Sequence, residues 1–182
     1  LKERRPAEMD QLEYGSLIHY LLQQIFQAYC AEEIAAMSKE TLIQAIQEYI
    51  AVYVNMKLGG SEDKTQRFQF VFRRIADSAH VVIHHIAKEL SQSKFQPIGH
   101  ELSLKENGGD FSPLTISLED GTVVQVEGKI DRTDVMEQDG VQYVRVVDYK
   151  TGKKEFKIGD ILHGINMQML IYLAALIQNG QY

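Results

Sequence analysis

The sequence contains very little cysteine: among its 182 residues there is one, Cys30. A single thiol cannot form an internal disulfide framework, and it cannot supply the set of thiolates that a structural zinc site needs. Cys30 falls inside the first predicted helix, where we interpret it as a small apolar packing residue. Disulfide-stapled and zinc-thiolate proteins are therefore excluded.

Long apolar runs are also missing. No run approaches the roughly 18 residues of a membrane-spanning helix, and the N-terminal LKERRPAEMD is charged and lacks the apolar core of a signal peptide. We therefore expect a soluble, cytoplasmic protein. Because 182 residues are enough for one well-buried domain and few for two, we expect a single domain over residues 1–182.

An excess of positive charge is absent as well. The chain has 19 lysine and arginine residues against 25 acids, a net charge of −6, which argues against nucleic-acid binding by bulk electrostatics. A nuclease is not excluded, because metal-dependent phosphodiesterases need clustered carboxylates, which offset basic residues in the sum. Residues 129–157 contain seven of the basic residues and six of the acids, so this segment mixes both signs.

What is present is a change of hydrophobic period near Ser91, from about 3.6 residues to about 2. Apolar stripes predict helices over about 15–29, 39–56 and 63–90, and a closing helix over about 158–178. Between the third and fourth, strands are predicted for HELSLKE, LTISL, TVVQVEGKIDRTDV and VQYVRVVDYK, with turns at NGGD, EDG and MEQDG. We expect an α/β protein: a helical part over about 10–90, then an antiparallel meander and its closing helix over about 94–180.

Two acids end neighbouring predicted strands, Asp131 in GKIDRTD and Asp148 in VVDYK. The hairpin between them brings the strand ends together, where like charges repel unless a cation lies between them. A hard divalent ion such as Mg²⁺ accepts carboxylate oxygens and keeps waters for chemistry. Lys150, on the same strand face as Asp148, would lie beside the attacking water, as metal-assisted phosphodiester hydrolysis requires.

The same residues support a simpler interpretation. Asp148 and Lys150 also fit an exposed ion pair at a strand end, which is common and contributes almost nothing to stability. Once the second aspartate, Asp131, is considered, a catalytic metal site and an exposed ion pair explain the pattern about equally well. The pattern leaves both interpretations open.

A second histidine-containing pattern is less informative. His80 and His84 of HVVIHH have the i, i+4 spacing of a zinc site, but the glutamate of the zinc-protease motif is absent between them. We interpret both as helix-surface or packing residues.

Four motifs in a fixed order add a family resemblance: GSLIH at 15–19, GKIDRTD at 128–134, DYKTG at 148–152 and QMLIY at 168–172. They resemble the G-x-x-x-H, G-x-x-D-R-x-D, D-Y-K-T-G and Q-x-x-x-Y motifs of the RecB-like branch of the PD-(D/E)XK nuclease superfamily. The opening LKERRPAEMDQLEYGSLIHYLL is similar to the AddB/RexB family of nuclease domains, which belong to bacterial ATP-dependent helicase–nucleases. The resemblance implies a restriction-endonuclease-like core: a mixed central sheet flanked by helices, with a helical N-terminal half.

The resemblance also implies a set of metal ligands and catalytic residues. His19, Asp131 and Asp148 would bind the metal, with the backbone carbonyl of Tyr149 as a further ligand. Lys150 would be the catalytic lysine, acting together with Asp131 and Asp148. Position within G-x-x-x-H is what distinguishes His19 from an ordinary packing histidine.

Four further residues are expected to support this site. Gln168 and Tyr172 would face it from the closing helix and hold the substrate or the lysine. Arg132 would contact DNA or buttress the loop. Glu101, in GHELSL, matches the family's early acid loosely, so a site acid and an exposed strand glutamate remain equally open interpretations.

The resemblance implies Mg²⁺ as cofactor, with Mn²⁺ as a substitute, and DNA and an AddA/RexA-type helicase–nuclease as partners. AddB-type nuclease domains resemble iron–sulfur proteins in which four cysteines bracket the nuclease. With Cys30 as its one cysteine, this chain cannot form the 4Fe–4S cluster. We therefore expect a fragment of a larger helicase–nuclease subunit.

The predicted function is that of a metal-dependent DNA exonuclease domain in double-strand break repair and recombination, which hydrolyses phosphodiester bonds with a metal-activated water. One alternative is a catalytically silent, nuclease-like module that binds DNA within the same complex. Another is a structural domain that only docks a partner protein. The presence of His19, Asp131, Asp148 and Lys150 together favours the enzyme, because a binding module has no need of all four.

Overall fold

The computed structural model describes residues 11–58, 66–150 and 167–180. The chain comprises two compact units, Leu1–Ser93 and Lys94–Tyr182, and each is described by itself. The boundary between them falls close to the change of hydrophobic period near Ser91. The interpretation of the whole chain as a single domain stays a prediction.

The first unit is helical. Its described elements are α1 (Gln11–Ala28), α2 (Ala31–Ala36), α3 (Lys39–Leu58) and α4 (Gln66–Ser91). The predicted apolar stripes form the core of this unit, because residues three and four apart lie on one face of a helix. On α4, for example, the buried side chains of Phe72, Ile75, Ala79 and Ile83 follow that spacing. None of the helices in the described ranges is long and apolar enough to cross a lipid bilayer.

The interpretation of Cys30 as a packing residue within the first helix is wrong. That helix ends at Ala28, and Cys30 is an exposed free thiol that precedes the short helix α2. Its backbone N–H donates a hydrogen bond of 2.9 Å to the Glu33 carboxylate, which caps α2. Because the chain turns here, Ala31 and Ile34 of α2 become buried.

The second unit contains five strands and one helix in its described part: β1 (Gln96–Leu104), β2 (Leu114–Ser117), β3 (Val123–Val126), β4 (Gly128–Gln138), β5 (Val141–Val147) and α5 (Gln168–Gln178). The strands form a three-stranded sheet in the order β1-β4-β5 and a separate β2-β3 hairpin, with antiparallel pairing throughout. The predicted α/β class, with its helical N-terminal half, is confirmed. The simple meander is wrong, because the β2-β3 hairpin is inserted between two strands that pair with each other.

Two strand boundaries also differ from the prediction. The stretch TVVQVEGKIDRTDV is divided at Glu127 between β3 and β4, which belong to different sheets. β4 then continues to Gln138, so that the turn consists of Asp139 and Gly140 rather than all of MEQDG. Both turn residues have positive φ, 55° and 74°, as a two-residue hairpin turn of right-handed strands requires.

The closing helix α5 packs on the sheet unit through Tyr172, Ala175 and Leu176, which share a core with Ile130 and Val146. The start predicted for this helix, about residue 158, lies outside the described residues. Beyond the helix end, the Asn179 side chain accepts a hydrogen bond from the Ser112 N–H and donates one to the Ser112 carbonyl oxygen, each 3.0 Å long.

Gln178 makes the same pair of bonds to the backbone of Thr115, at 2.8 and 3.0 Å. Together with the bonds of Asn179, these side chains attach the β2-β3 hairpin and the segment before it to α5.

Candidate active site

The acid that faces Asp131 in the structure is Glu101. Glu101 lies between His100 and Leu102, whose partners on β4 are Arg132 and Ile130, so Glu101 is opposite Asp131 across the β1-β4 ladder. A carboxylate oxygen of each lies within 4.8 Å of the other. Asp131 is 9% exposed and the Glu101 side chain is 13% exposed, so water screens their repulsion poorly.

The backbone at Glu101 is unusual, with a φ of +56° inside a strand. A residue other than glycine adopts this conformation at a cost of about 1–3 kcal/mol, and such residues cluster at functional sites. The strained backbone makes Glu101 a candidate site acid, and this role stays a prediction.

One cation already approaches this carboxylate pair. Lys129, two residues before Asp131 on β4, forms an ion pair with the Glu101 carboxylate, and its own side chain is 58% exposed. An exposed ammonium compensates only part of the repulsion between two nearly buried carboxylates. The carboxylate oxygens of Glu101 and Asp131 are the kind of ligand that a hard divalent cation prefers.

The second group of predicted residues gathers around Asp148, just after the end of β5. Lys150 Nζ lies 2.8 and 2.7 Å from the two carboxylate oxygens of Asp148. Gln168 Nε2, at the start of α5, donates to Asp148 Oδ1 at 3.2 Å and lies 3.1 Å from the Tyr172 hydroxyl. The Gln168 carbonyl oxygen accepts from Lys150 Nζ at 3.4 Å, so the four residues form one hydrogen-bonded group.

Asp131 connects the two groups. The backbone N–H of Tyr149, between Asp148 and Lys150, donates a hydrogen bond of 2.6 Å to Asp131 Oδ2. The prediction that Asp131 ends its strand is wrong, because β4 continues to Gln138. It is the segment after the end of β5 that comes to Asp131.

Arg132 is buried, with a side chain 3% exposed. Its Nε lies 2.9 Å from Asp134 Oδ1 and its Nη2 donates to Asp134 Oδ2 at 3.1 Å. Its Nη1 donates to the Tyr149 hydroxyl at 2.9 Å. Of the two roles expected for Arg132, these contacts favour buttressing of the loop over contact with DNA.

Two aromatic groups around Arg132 have shifted pKa values. Burial raises the pKa of the Tyr149 phenol to about 12, although the Arg132 guanidinium acts in the opposite direction. Burial, followed by the repulsion of Arg132, lowers the pKa of His100 to about 4. Both groups are therefore neutral at neutral pH, and Arg132 has Asp134 as its charged partner.

Sequence reasoning missed three residues of this region: Lys129, Asp134 and Arg145. Asp134 is fully buried; Arg145 Nε donates a hydrogen bond of 2.8 Å to Asp134 Oδ2, and Arg145 Nη2 lies 2.8 Å from the same oxygen as part of the ion pair. The sequence signal for Asp134 was present, since it is the last residue of G-x-x-D-R-x-D. Nothing in the sequence singles out Arg145, because its role depends on the β4-β5 register that places it opposite Asp134.

The ligand roles expected for Asp131, Asp148, His19 and the Tyr149 carbonyl all stay predictions from the family motifs. His19 lies on α1, in the helical unit, where its side chain is half-buried. The Tyr149 backbone carbonyl lies at the end of the described part of its segment. Sequence reasoning paired Asp131 with Asp148, whereas in the structure Lys150 and Gln168 hold Asp148 and the acid facing Asp131 is Glu101.

The profile of the PD-(D/E)XK nuclease superfamily matches residues 1–182, and the chain therefore belongs to this superfamily. Nucleases of the superfamily use divalent metal ions, which is consistent with the paired carboxylates of Glu101 and Asp131. The fold and family expected from the four motifs are thereby confirmed.

Curated bacterial relatives are named as a subunit of an ATP-dependent helicase/deoxyribonuclease. The proteins of Clostridium acetobutylicum and Caldanaerobacter subterraneus are each 30% identical to this chain over 181 residues. That of Alkaliphilus metalliredigens is 30% identical over 184 residues. These alignments cover 98 or 99% of this chain and 16% of each relative, so the chain spans about one sixth of the length of the relatives it matches.

Proposed function

We propose that this chain is the metal-dependent DNA exonuclease domain of an ATP-dependent helicase–nuclease subunit that acts in double-strand break repair and recombination. The observation that carries the proposal is the facing pair Glu101 and Asp131, which the Tyr149 N–H ties to the segment bearing Asp148 and Lys150. The superfamily match and the names of the relatives support the reaction class and the substrate.

In this proposal Asp131, Asp148 and His19 would hold Mg²⁺, or Mn²⁺ in its place, with the Tyr149 carbonyl as a further ligand. Glu101 joins them as the acid opposite Asp131. When bound, such an ion would supply Lewis acidity and a more acidic water. Every other contribution comes from the protein's own side chains and backbone.

Lys150 carries the positive charge that balances the phosphate in the transition state. Its Nζ lies between the carboxylate oxygens of Asp148, and Gln168 holds both groups from α5. Tyr172 fixes Gln168 in turn through its hydroxyl. Hydrolysis forms a bond from the water oxygen to phosphorus and breaks the bond to the leaving oxygen; the water releases a proton to solvent, and the leaving oxygen takes one up from solvent.

The chain's partners follow from the names of its relatives. Relatives that are named as one subunit of a helicase/deoxyribonuclease imply that another subunit exists, and we propose an AddA/RexA-type helicase–nuclease as that partner. DNA is the proposed substrate, and its contacts are to the phosphate backbone, because exonucleolytic digestion requires no base readout.

The test is Mg²⁺-dependent degradation of linear DNA by the full-length protein in its complex, with each strand end-labelled in turn. Asp131→Ala and Asp148→Ala should each abolish digestion of one strand. Glu119→Ala is the matched control, because Glu119 is an exposed acid in the turn after β2, and it should retain full activity. Undiminished digestion of both strands by Asp131→Ala would contradict the proposal.

Calorimetric titration with Mn²⁺ separates the enzyme from a silent DNA-binding module. The enzyme should give a heat of binding that disappears in Asp131→Ala. A module that only binds DNA should give no heat that depends on Asp131, and would still shift labelled DNA in a gel that contains calcium.

A further inference from the structure

We propose that Asp134 and Arg132 are positioning residues that hold the metal-binding carboxylate of Asp131 in place through Tyr149. This inference rests on the proposed function, since it concerns the same site. It assigns a role to a buried ionic group that has no chemistry of its own.

The charge of Asp134 lies in the interior of the sheet unit. Its side chain is fully buried, and it binds two arginines, Arg132 and Arg145. The Arg145 guanidinium also lies over the Phe95 ring, 4.8 Å from its centre. Removing charged groups from water is costly, and well-packed apolar residues of similar volume are often equally stable or more so. Stability alone therefore gives little reason for this group.

The side chains of Arg132 and Asp134 point to the face of β4 opposite to that of Asp131. Successive side chains of a strand point to opposite faces. Arg132 and Asp134 therefore lie on one face of β4, and Asp131 lies on the other. Arg132 follows Asp131 directly, and its guanidinium binds Asp134 rather than the carboxylate pair. The ionic group is therefore behind the carboxylate pair, and any effect on the reacting atoms must pass through another residue.

Tyr149 is that residue. Its hydroxyl accepts a hydrogen bond from Arg132 Nη1 at 2.9 Å, and the Arg132 guanidinium lies 5.7 Å from the centre of its ring. Its backbone N–H donates to Asp131 Oδ2 at 2.6 Å. The side chain is thus fixed behind the strand while the backbone contacts the carboxylate in front.

Tyr149 follows the last residue of β5 by two positions, where the ladder to β4 has ended at Val147. Beyond the end of the ladder, the contact of its side chain with Arg132 fixes the backbone of this segment. Asp148 and Lys150 flank Tyr149, so the same contact also orients them. A carboxylate ligand that is hydrogen-bonded from outside the metal site binds its metal in a defined orientation.

The test uses Tyr149→Phe in the full-length protein within its complex. This change removes the hydroxyl that Arg132 binds but keeps the ring and the backbone N–H. Loss of such an outer partner lowers metal affinity or activity by roughly 10–100-fold in other sites. We expect kcat for linear DNA to fall about tenfold, the half-saturating Mg²⁺ concentration to rise by a similar factor, and KM for DNA to stay unchanged.

Tyr143→Phe is the matched control. Tyr143 lies on β5, 46% exposed and opposite Met136, so this variant removes a tyrosine hydroxyl from an exposed position of the same strand. It should keep wild-type kinetics. ATP-dependent unwinding by the same preparations shows that each complex is assembled, and Mn²⁺ calorimetry should show weaker binding for Tyr149→Phe without any nuclease reaction.

A Tyr149→Phe enzyme with wild-type kcat and wild-type Mn²⁺ affinity would overturn the positioning role. A rise in KM for DNA with unchanged kcat would overturn it as well, because it would make Tyr149 a substrate contact. If Asp131→Ala also retained activity, the proposed function itself would fail. Loss of activity in Asp131→Ala together with a wild-type Tyr149→Phe would refute the positioning role alone.

Asp134→Asn provides a second measurement. It keeps the shape of the side chain and removes the charge that holds Arg132. The Mn²⁺ affinity of the assembled variant should fall at least as far as that of Tyr149→Phe. Adding Tyr149→Phe to Asp134→Asn should then cause little further loss, because both changes act on the same contact. Fully additive losses would contradict a path through Tyr149.

Discussion

Replacing Gly128 by alanine should destabilise the sheet unit and weaken the hydrogen-bonded group around Lys150. Gly128 is the first residue of the GKIDRTD motif and of β4. A Cβ atom placed there would lie 2.9 Å from Cε1 of Tyr172 and 3.1 Å from its hydroxyl oxygen. Ordinary carbon contacts are about 3.5–4.0 Å, so the ring would have to move by roughly 0.6–1 Å.

The ring has little room for that movement. Tyr172 is 8% exposed and packs in a core with Leu104 and Leu176. Overpacking of this kind costs about 1–3 kcal/mol, and the reduced freedom of the unfolded chain in Gly→Ala offsets about 0.4–1 kcal/mol. A net loss of about 1–2 kcal/mol remains, which lowers Tm by roughly 5–10 °C for a unit of this size.

The same displacement should reach the candidate active site. The Tyr172 hydroxyl lies 3.1 Å from Gln168 Nε2, and a shift of roughly 0.6 Å takes this contact beyond hydrogen-bonding distance. Gln168 would lose the group that orients it towards Lys150. We therefore expect lower kcat as well as lower stability.

The assay is thermal unfolding followed by circular dichroism, together with nuclease activity. Glu137→Ala, at an exposed position of the same strand, is the control and should change Tm little. In the double variant with Tyr172→Leu, which removes the clashing atoms, the stability losses should be less than additive. Wild-type stability of Gly128→Ala, or additivity in the double variant, would refute the reasoning.

Two further predictions concern charge. Lys129→Ala should raise Mn²⁺ affinity a few-fold in calorimetry, because the ammonium that pairs with Glu101 competes with the metal ion; unchanged or weaker binding would contradict this. Burial, followed by repulsion from His84 and Lys39, lowers the pKa of His80 from its usual 6.5. The unfolded chain therefore protonates His80 at a higher pH than the folded chain does. The free energy of unfolding that depends on neutral His80 is fully present above pH 6.5 and decreases as the pH falls below that value. His80→Gln should flatten the dependence of Tm on pH in that range, and an equally steep dependence in the variant would argue against it.

The helices were predictable because their signal is local. Buried side chains of α4 such as Phe72 and Ile83 recur at helical spacing, and this pattern needs no knowledge of the rest of the chain. The helix α2 was missed because its six residues are too few to show a period. Cys30 is exposed because the chain turns before α2, and this turn was not predicted.

The strands were predictable as strands, but their pairing was only partly so. The turn signal EDG predicted the β2-β3 hairpin, which the structure confirms. The division of TVVQVEGKIDRTDV at Glu127 was missed, because the alternation of Val124, Val126 and Ile130 continues across it, although glutamate and glycine are uncommon in strands. The break occurs where Tyr172, far along the chain, packs against the backbone of Gly128.

The sequence by itself determined the family and the order of its motifs, because residue types and spacings are written in it directly. Only the tertiary structure decided that Glu101 faces Asp131, that Arg132 binds Asp134 and Tyr149, and that this ionic group lies behind the site. These relations depend on the register of β1 and β5 against β4 and on which side of a strand each side chain points. A register shift of one residue would reverse them all without changing the composition or the motifs.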